Sequence, residues 1–247
     1  MTTLVHTTHE RGITTLTLDA PQRRNALSAA LLGELAAALE QGGEDDDVRA
    51  IVLTHTGTTF SAGADLRDPP EPETLAALLR RIAALPKPVV ARITGHARAG
   101  GLGLIGACDI AIASDTATFA LTEVRIGVAP ALISLPLLHR VEPRAAARYF
   151  LTGETFDAAE AARVGLLTAT SGPKDIDETL APVLDGLRRA APHALAETKR
   201  LLTAKVLEAY DEDAGRLAQL SSRLFASADA REGMTAFLER RDPPWVL

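Results

Sequence analysis

The chain has 247 residues, 47% of them hydrophobic and 4% aromatic, so it can bury a sizeable core built mostly of Ala, Leu, Val and Ile. Its formal net charge is −6, and its arginine pairs (Arg23-Arg24, Arg80-Arg81, Arg188-Arg189) are short and scattered, which argues against nucleic acid as the main partner. The one cysteine, Cys108, rules out an internal disulfide, and no apolar run approaches the ~18 residues that span a bilayer.

The opening stretch "MTTLVHTTHERG" is polar and does not read as a signal peptide. With Cys108 in an apolar run, as a buried and inert thiol, the expectation is a cytoplasmic protein that binds no membrane. The first ~20 residues alternate like strands. "RGITTLTLD" puts Ile13, Thr15 and Thr17 on one face, and Pro21 ends the run. Ser28 reads as the N-cap of a helix over "AALLGELAAALEQ". The acidic run Glu44 to Asp47 reads as a solvated connection, and "VRAIVLTH" as a buried strand of a parallel sheet.

"TGTTFSAGADL" then reads as a loop, and the break at Asp68-Pro69-Pro70 leads to a helix near Glu73 to Leu85. "KPVVARITG" is the next strand, followed by a glycine-rich turn and a short helix. "DIAIASDTATFAL" reads as two strands with a turn at Ser114-Asp115. Beyond Pro130 the texture is helical. "PRAAARYFLTG" ends at Gly153, Asp157 to Glu160 has a reciprocal capping pattern, and "VGLLTAT" is a short apolar piece. From Ile176 the pattern is amphipathic helix almost to the end. The fold class is α/β, with a core over residues 1–175 and a helical region over 176–247 that packs within an oligomer.

The glycine turn admits two readings. Gly101, Gly103 and Gly106 spell G-x-G-x-x-G, a dinucleotide fingerprint, with Glu123 about 20 residues on. Three features oppose this. Two strand–helix pairs precede the turn, the following helix is short, and Glu123 comes after two strands rather than one. The other reading starts from "TTFSAGADL", a second small-residue loop that also follows a strand. Two such loops can aim two backbone N–H groups at one developing oxyanion, and glycine and alanine let a substrate approach the main chain.

The pieces "RRNALS", "FSAGADL", "KPVVARITGHARAGGLGLIGACDIAIAS", "FALTEVRIGVAP", "LTGETFDAAEAARVGLLT" and "EGMTAFLERRDPPW" cover nearly the whole chain in order. In these the chain resembles the crotonase, or enoyl-CoA hydratase/isomerase, superfamily. The resemblance implies a core of repeated ββα units, a helical C-terminal part used in trimers or dimers of trimers, and a coenzyme A thioester as substrate with no further cofactor and no metal. It implies an oxyanion hole from the N–H groups of Ala64 and Gly100. CoA would be held around Arg23, Arg24, Ala26, Ala62, Ala64, Asp65 and Leu66. Backbone groups of Ala62, Asp65 and Leu66 would read the adenine edge, the two arginines would lie near phosphates, and Arg240 would reach a phosphate, either in its own subunit or in the neighbouring one.

The chain departs from the two-carboxylate members at Gly103, which stands where the first glutamate would be. Glu123 matches the second and is left as the acid/base. A plainer reading makes Glu123 a surface glutamate paired with Arg125. His96 and His139 are the other side chains able to act as a base near neutral pH. The resulting expectation is an enoyl-CoA hydratase/isomerase, with hydration placed ahead of double-bond isomerisation. The alternatives are a non-catalytic acyl-CoA-binding homologue and, behind it, a dinucleotide-binding oxidoreductase.

Overall fold

The computed structural model describes residues 3–247. The chain opens with a hairpin of β1 (Val5–Glu10) and β2 (Ile13–Leu18), with Glu10 opposite Ile13. Arg11 and Gly12 between them have φ of 48° and 78°, the positive-φ pair whose twist suits a two-residue hairpin loop. A 3₁₀ turn, Pro21–Arg23, precedes α1 (Ala29–Glu44). Ser28 caps α1, its Oγ accepting from the Leu31 N–H at 3.3 Å. Such a cap contributes ~1 kcal/mol. Leu31, Leu32, Leu35 and Leu39 are all fully buried. At ~1.5–3 kcal/mol each, their packing outweighs the cap.

Three strand pairs then follow one plan. They are β3 (Ala50–His55) with β4 (Thr59–Ser61), β5 (Val89–Ile93) with β6 (His96–Arg98), and β7 (Ile110–Ser114) with β8 (Thr118–Ala120). α2 (Pro72–Ala84) follows the first pair and α3 (Gly100–Ala107) the second. A 3₁₀ turn, Thr122–Ile126, follows the third. Then come α4 (Ser134–Leu137), α5 (Pro143–Thr152), β9 (Phe156–Asp157), α6 (Ala158–Arg163) and β10 (Ala169–Ser171). The chain ends in α7 (Ile176–Arg189), α8 (Pro192–Phe225) and α9 (Ala228–Glu239).

The first strand of each pair joins a six-stranded sheet ordered β1-β2-β3-β5-β7-β10, parallel from β2 onward. The second joins a four-stranded sheet ordered β4-β6-β8-β9, in which β4, β6 and β8 run parallel. The large sheet is covered on both faces, which is why β3 is buried at every position. Leu16, Leu53 and Ala91 belong to the main core with α1 and α2. On the other face Ile13, Ala50, Val52, Val90 and Ile112 meet Ile176 and Leu180 of α7. α8 is pinned to the body by Lys199, which is 4% exposed. Its Nζ lies 2.7 Å from Asp109 Oδ2 and donates to the Ile82 and Lys87 carbonyls. These partners offset the cost of burying the charge. No helix among the described residues is long and apolar enough to cross a membrane.

Several local expectations are corrected. "TGTTFSAGADL" contains β4, and β6 lies within the glycine-rich approach to α3. The turn between β7 and β8 starts one residue later, at Asp115-Thr116, and the two strands belong to different sheets. Asp157 caps α6, accepting from the Glu160 N–H at 2.8 Å, but the cap is not reciprocal. The Glu160 carboxylate accepts instead from the Tyr149 hydroxyl and the Arg163 guanidinium.

Candidate active site

The parallel strands β4, β6 and β8 lie side by side, so the residues that leave their C-terminal ends come together. This is the end of an α/β sheet where ligands gather. The β4 end delivers Ala62-Gly63-Ala64. The β6 end delivers Ala99-Gly100, and the β8 end leads through Leu121 into the turn that carries Glu123. Register confirms the juxtaposition. Arg98 pairs with Ala120, and the Ala99 N–H donates to the Ala120 carbonyl at 3.0 Å. A methyl group built on Gly100 would stand 3.8 Å from the Ala64 nitrogen.

Along the first loop, Ser61, Gly63 and Asp65 are buried while Ala62, Ala64 and Leu66 are half-buried. The loop is stitched to "RRNAL". Leu27 donates to the Gly63 carbonyl (2.8 Å), Asp65 to Leu27 (3.1 Å) and Ala62 to Arg24 (3.0 Å). These bonds turn the Ala64 N–H the other way, and it meets no acceptor among the described residues. The Gly100 N–H, at the first position of α3, likewise meets none. Ala99 precedes it with φ 48° and ψ −120°. That geometry costs alanine ~1–3 kcal/mol, and its ψ sets the plane of the peptide that carries the Gly100 N–H.

Glu123 is 9% exposed, and its Oε2 has no hydrogen-bond partner among the described residues. Burial pushes its pKa up to about 7. The Gly127 and Val128 N–H groups donate to its backbone carbonyl and close the turn. Arg125 does not pair with it, because its Nε donates to the Thr152 carbonyl at 3.2 Å. Glu123 is therefore a buried carboxyl at the edge of ionisation, not a surface ion pair.

Across from a second carboxylate's place the space is filled. A Cβ on Gly103 would lie 2.5 Å from Ile133 Cγ2 and 3.4 Å from Leu79 Cδ1. The other glycines of the G-x-G-x-x-G run also face protein. Gly101 packs on the Ser61 backbone and Gly106 on Leu137, so the spacing serves close packing of α3. His139 lines a cavity of about 190 Å³ with Gly106, Ala107 and Arg140. That is the far end of α3, about 10 Å from Gly100 at the helical rise per residue. His96 is exposed at the start of β6, its ring 2.9 Å from Thr118 Oγ1.

Arg23 points back into the loop system, with Nη2 2.5 Å from Asp65 Oδ2, an ion contact without hydrogen-bond alignment. Arg24, with φ 53°, is exposed, Ala26 is half-buried, and Arg240 ends α9 exposed with φ 57°. One residue that shapes the site was not singled out from the sequence. Asn25 is fully buried at φ 49°. Its Oδ1 accepts from the Ala20 N–H (2.8 Å), and its Nδ2 donates to the Thr56 and Thr59 carbonyls (3.1 and 2.7 Å). It ties "RRNAL" to the β3–β4 connection. The available signal was an asparagine between turn-forming residues, since asparagine tolerates the left-handed region.

A family model described as enoyl-CoA hydratase/isomerase matches residues 8–246. The crystal structure of an enoyl-CoA hydratase from Mycobacterium avium is 49% identical, covers 100% of both chains and superposes with a TM-score of 0.93. The 2,3-dehydroadipyl-CoA hydratase of Escherichia coli K12 is 32% identical over 244 residues, 95% of each chain. The crystal structure of a methylmalonyl-CoA decarboxylase is 25% identical, with a TM-score of 0.87 over 99% of this chain and 98% of that one.

Proposed function

The chain belongs to the enoyl-CoA hydratase/isomerase family, and from that premise we propose that Glu123 is the sole acid/base of its site and that the Ala64 and Gly100 N–H groups receive the thioester oxygen. An acyl-CoA thioester is the substrate class that membership implies. The observation that carries the reading is the buried Glu123 carboxyl, unpartnered among the described residues, on the turn after β8, with two undonated N–H groups at the ends of β6 and β4 in the same sheet. Charge that develops on the thioester oxygen as C2 gains or loses a proton is stabilised by those two donors. A carboxyl titrating near neutrality can both give and take that proton.

Hydration is the first reading. Water adds to C3 of a 2-enoyl-CoA, and C2 receives a proton. The apolar filling at Gly103 supports a second, double-bond isomerisation. There the Glu123 carboxylate takes a C2 proton from a 3-enoyl-CoA and returns it to C4. The reading requires no metal and no cofactor other than the CoA of the substrate.

CoA would lie along "RRNAL" and the Ala62–Leu66 loop. The Ala62 carbonyl and the Leu66 N–H meet no partner among the described residues. They supply the acceptor and the donor that an adenine edge needs. Asp65 already donates its N–H to Leu27, and its carbonyl accepts from the Asp68 N–H at 3.2 Å, so its share is the second lone pair of that carbonyl. Arg24 and Arg240 are the exposed cations for phosphate, and Arg23 supports the loop through Asp65 while its charge stays half-exposed. A homotrimer or dimer of trimers is part of the proposal. Leu201 and Leu202 of α8 and Phe237 and Leu238 of α9 are exposed, which suits burial between copies. A cytoplasmic location, suggested by the single buried thiol, completes it.

The experiment is an absorbance assay on purified protein with 2-enoyl-CoA and 3-enoyl-CoA substrates of several chain lengths. Hydration removes the conjugated band and isomerisation creates it. Tight binding with neither change would establish the non-catalytic alternative.

A further inference from the structure

In the proposed function the C-terminal piece "EGMTAFLERRDPPW" supplies Arg240 for phosphate and an exposed apolar edge, with no part in the proton transfer, yet its helix sits on the catalytic turn. A Cβ on Gly233 of α9 would lie 2.5 Å from the Ile126 carbonyl carbon and 2.6 Å from its oxygen. Reciprocally, a Cβ on Gly127 would lie 2.6 Å from the Asp229 carbonyl carbon and 2.8 Å from the Ala230 nitrogen. Helix and turn therefore touch backbone to backbone, through two glycines. Neither contact tolerates a side chain without moving one main chain away from the other. α9 is itself held at its start. Ser227 Oγ accepts from the Ala230 N–H at 3.1 Å, and Ala230 is fully buried.

This contact bears on Glu123 because its Oε2 has no hydrogen-bond partner among the described residues to fix it directly. Its position depends on the Thr122–Ile126 backbone. That backbone is closed by Gly127, at φ 78°, and by the two N–H groups on the Glu123 carbonyl. α5 braces the turn from another side through the Arg125–Thr152 bond. We propose that α9 is a positioning element of the catalytic turn, with Gly233 as its seat, so that the C-terminal helix sets where the Glu123 carboxyl lies. The proposal rests on Glu123 being the acid/base. Displacing a turn by about 1 Å costs on the order of 10²-fold in rate when it misplaces a reacting group.

The test is a double-mutant cycle in the full chain, with kcat and KM measured on the acyl-CoA that the wild type turns over. Gly233→Ala and Gly233→Val should lower kcat by about 10-fold and about 100-fold, with KM changed by less than about threefold. In a Glu123→Gln background the same substitutions should lower the residual rate by less than about twofold, because the group they misplace is gone. Thr235→Ala, exposed on the same helix, should leave kcat unchanged. Equal losses in both backgrounds, or an unchanged kcat in Gly233→Val, overturn the proposal. Wild-type turnover in Glu123→Gln alone overturns the acid/base assignment instead. If Gly233→Val does not fold, hydrogen exchange of the wild type decides. The Gly127 and Val128 amides should open together with those of α9, and their continued protection while α9 exchanges would count against it.

Discussion

The Cβ that Gly103 lacks would stand 2.5 Å from Ile133 Cγ2, so the place of a second carboxylate is occupied by a branched aliphatic side chain. Ile133 is 3% exposed and belongs to the main core. Gly103→Glu alone should therefore destabilise the fold by ~1–3 kcal/mol through overpacking, without adding hydratase activity. Gly103→Glu combined with Ile133→Ala should recover part of that stability and raise the hydration rate by at least about 10-fold, a share of what a positioned acid/base supplies. Denaturant melts and the 2-enoyl-CoA assay check both halves. A single Gly103→Glu variant that folds normally and hydrates faster would show that Ile133 is no barrier.

Glu123→Gln should keep acyl-CoA binding and lose ~10²–10⁴-fold in turnover. It should also change the pH dependence of stability. The folded carboxyl titrates near 7, against 4.5 as its ordinary value, because burial disfavours the charge. Between those values the folded state holds more protons than the unfolded one, so wild-type stability falls as pH rises from 4.5 through about 7. The loss approaches about 3 kcal/mol above pH 8. Glutamine carries no such penalty. Thermal melts should place the variant above the wild type at pH 8.5 and close to it at pH 5. Parallel curves at both pH values would mean that Glu123 is not held in a desolvating site.

Gly100 allows the two functions of its position to be separated. Gly100→Pro removes the N–H at the first position of α3, where a helix tolerates proline. Loss of one oxyanion donor costs on the order of 10²–10³ in kcat. Gly100→Ala keeps the N–H but sets a methyl 2.9 Å from Leu27 Cδ1, the flexible end of a side chain. Alanine should therefore cost far less than proline, while CoA affinity measured by calorimetry stays similar in both. A collapse of CoA affinity in the proline variant would mean that the turn binds phosphate.

Asn25→Ala should destabilise the protein by about 3 kcal/mol, because it leaves the buried Ala20 N–H and Thr59 carbonyl without partners. Because the loop carrying Ala64 hangs from the same segment, kcat should fall along with the urea midpoint. A midpoint within the error of the wild type would show that the network contributes little.

Much was legible in the chain itself. The long apolar strands, the Ser28 cap, the Leu-rich α1 and the helical run from Ile176 are local signals, and residues 3–247 follow them closely. The six pieces in register pointed to the family and to Glu123 as the lone carboxylate. The small sheet was harder to read, since β4, β6 and β8 have three residues each and β9 two, too few for alternation to show. The placement of β4, β6 and β8 is set by the strand that precedes each of them in the large sheet, and β9 pairs antiparallel with β8 from beyond α5.

Sequence alone determined which groups are available: two small-residue loops, one glutamate, a glycine where another could stand, and a C-terminal motif. Tertiary structure decided what those groups are. Glu123 is a desolvated carboxyl because the folded chain buries it, and burial is a property of neighbours, not of spacing. Gly103 is a packed position because Ile133, thirty residues on, fills it. Arg23 faces Asp65, Gly233 meets Ile126, and Gly127 meets Asp229, across separations that no local pattern records. Contacts between distant segments carry no periodic signal, and so only the folded chain shows them.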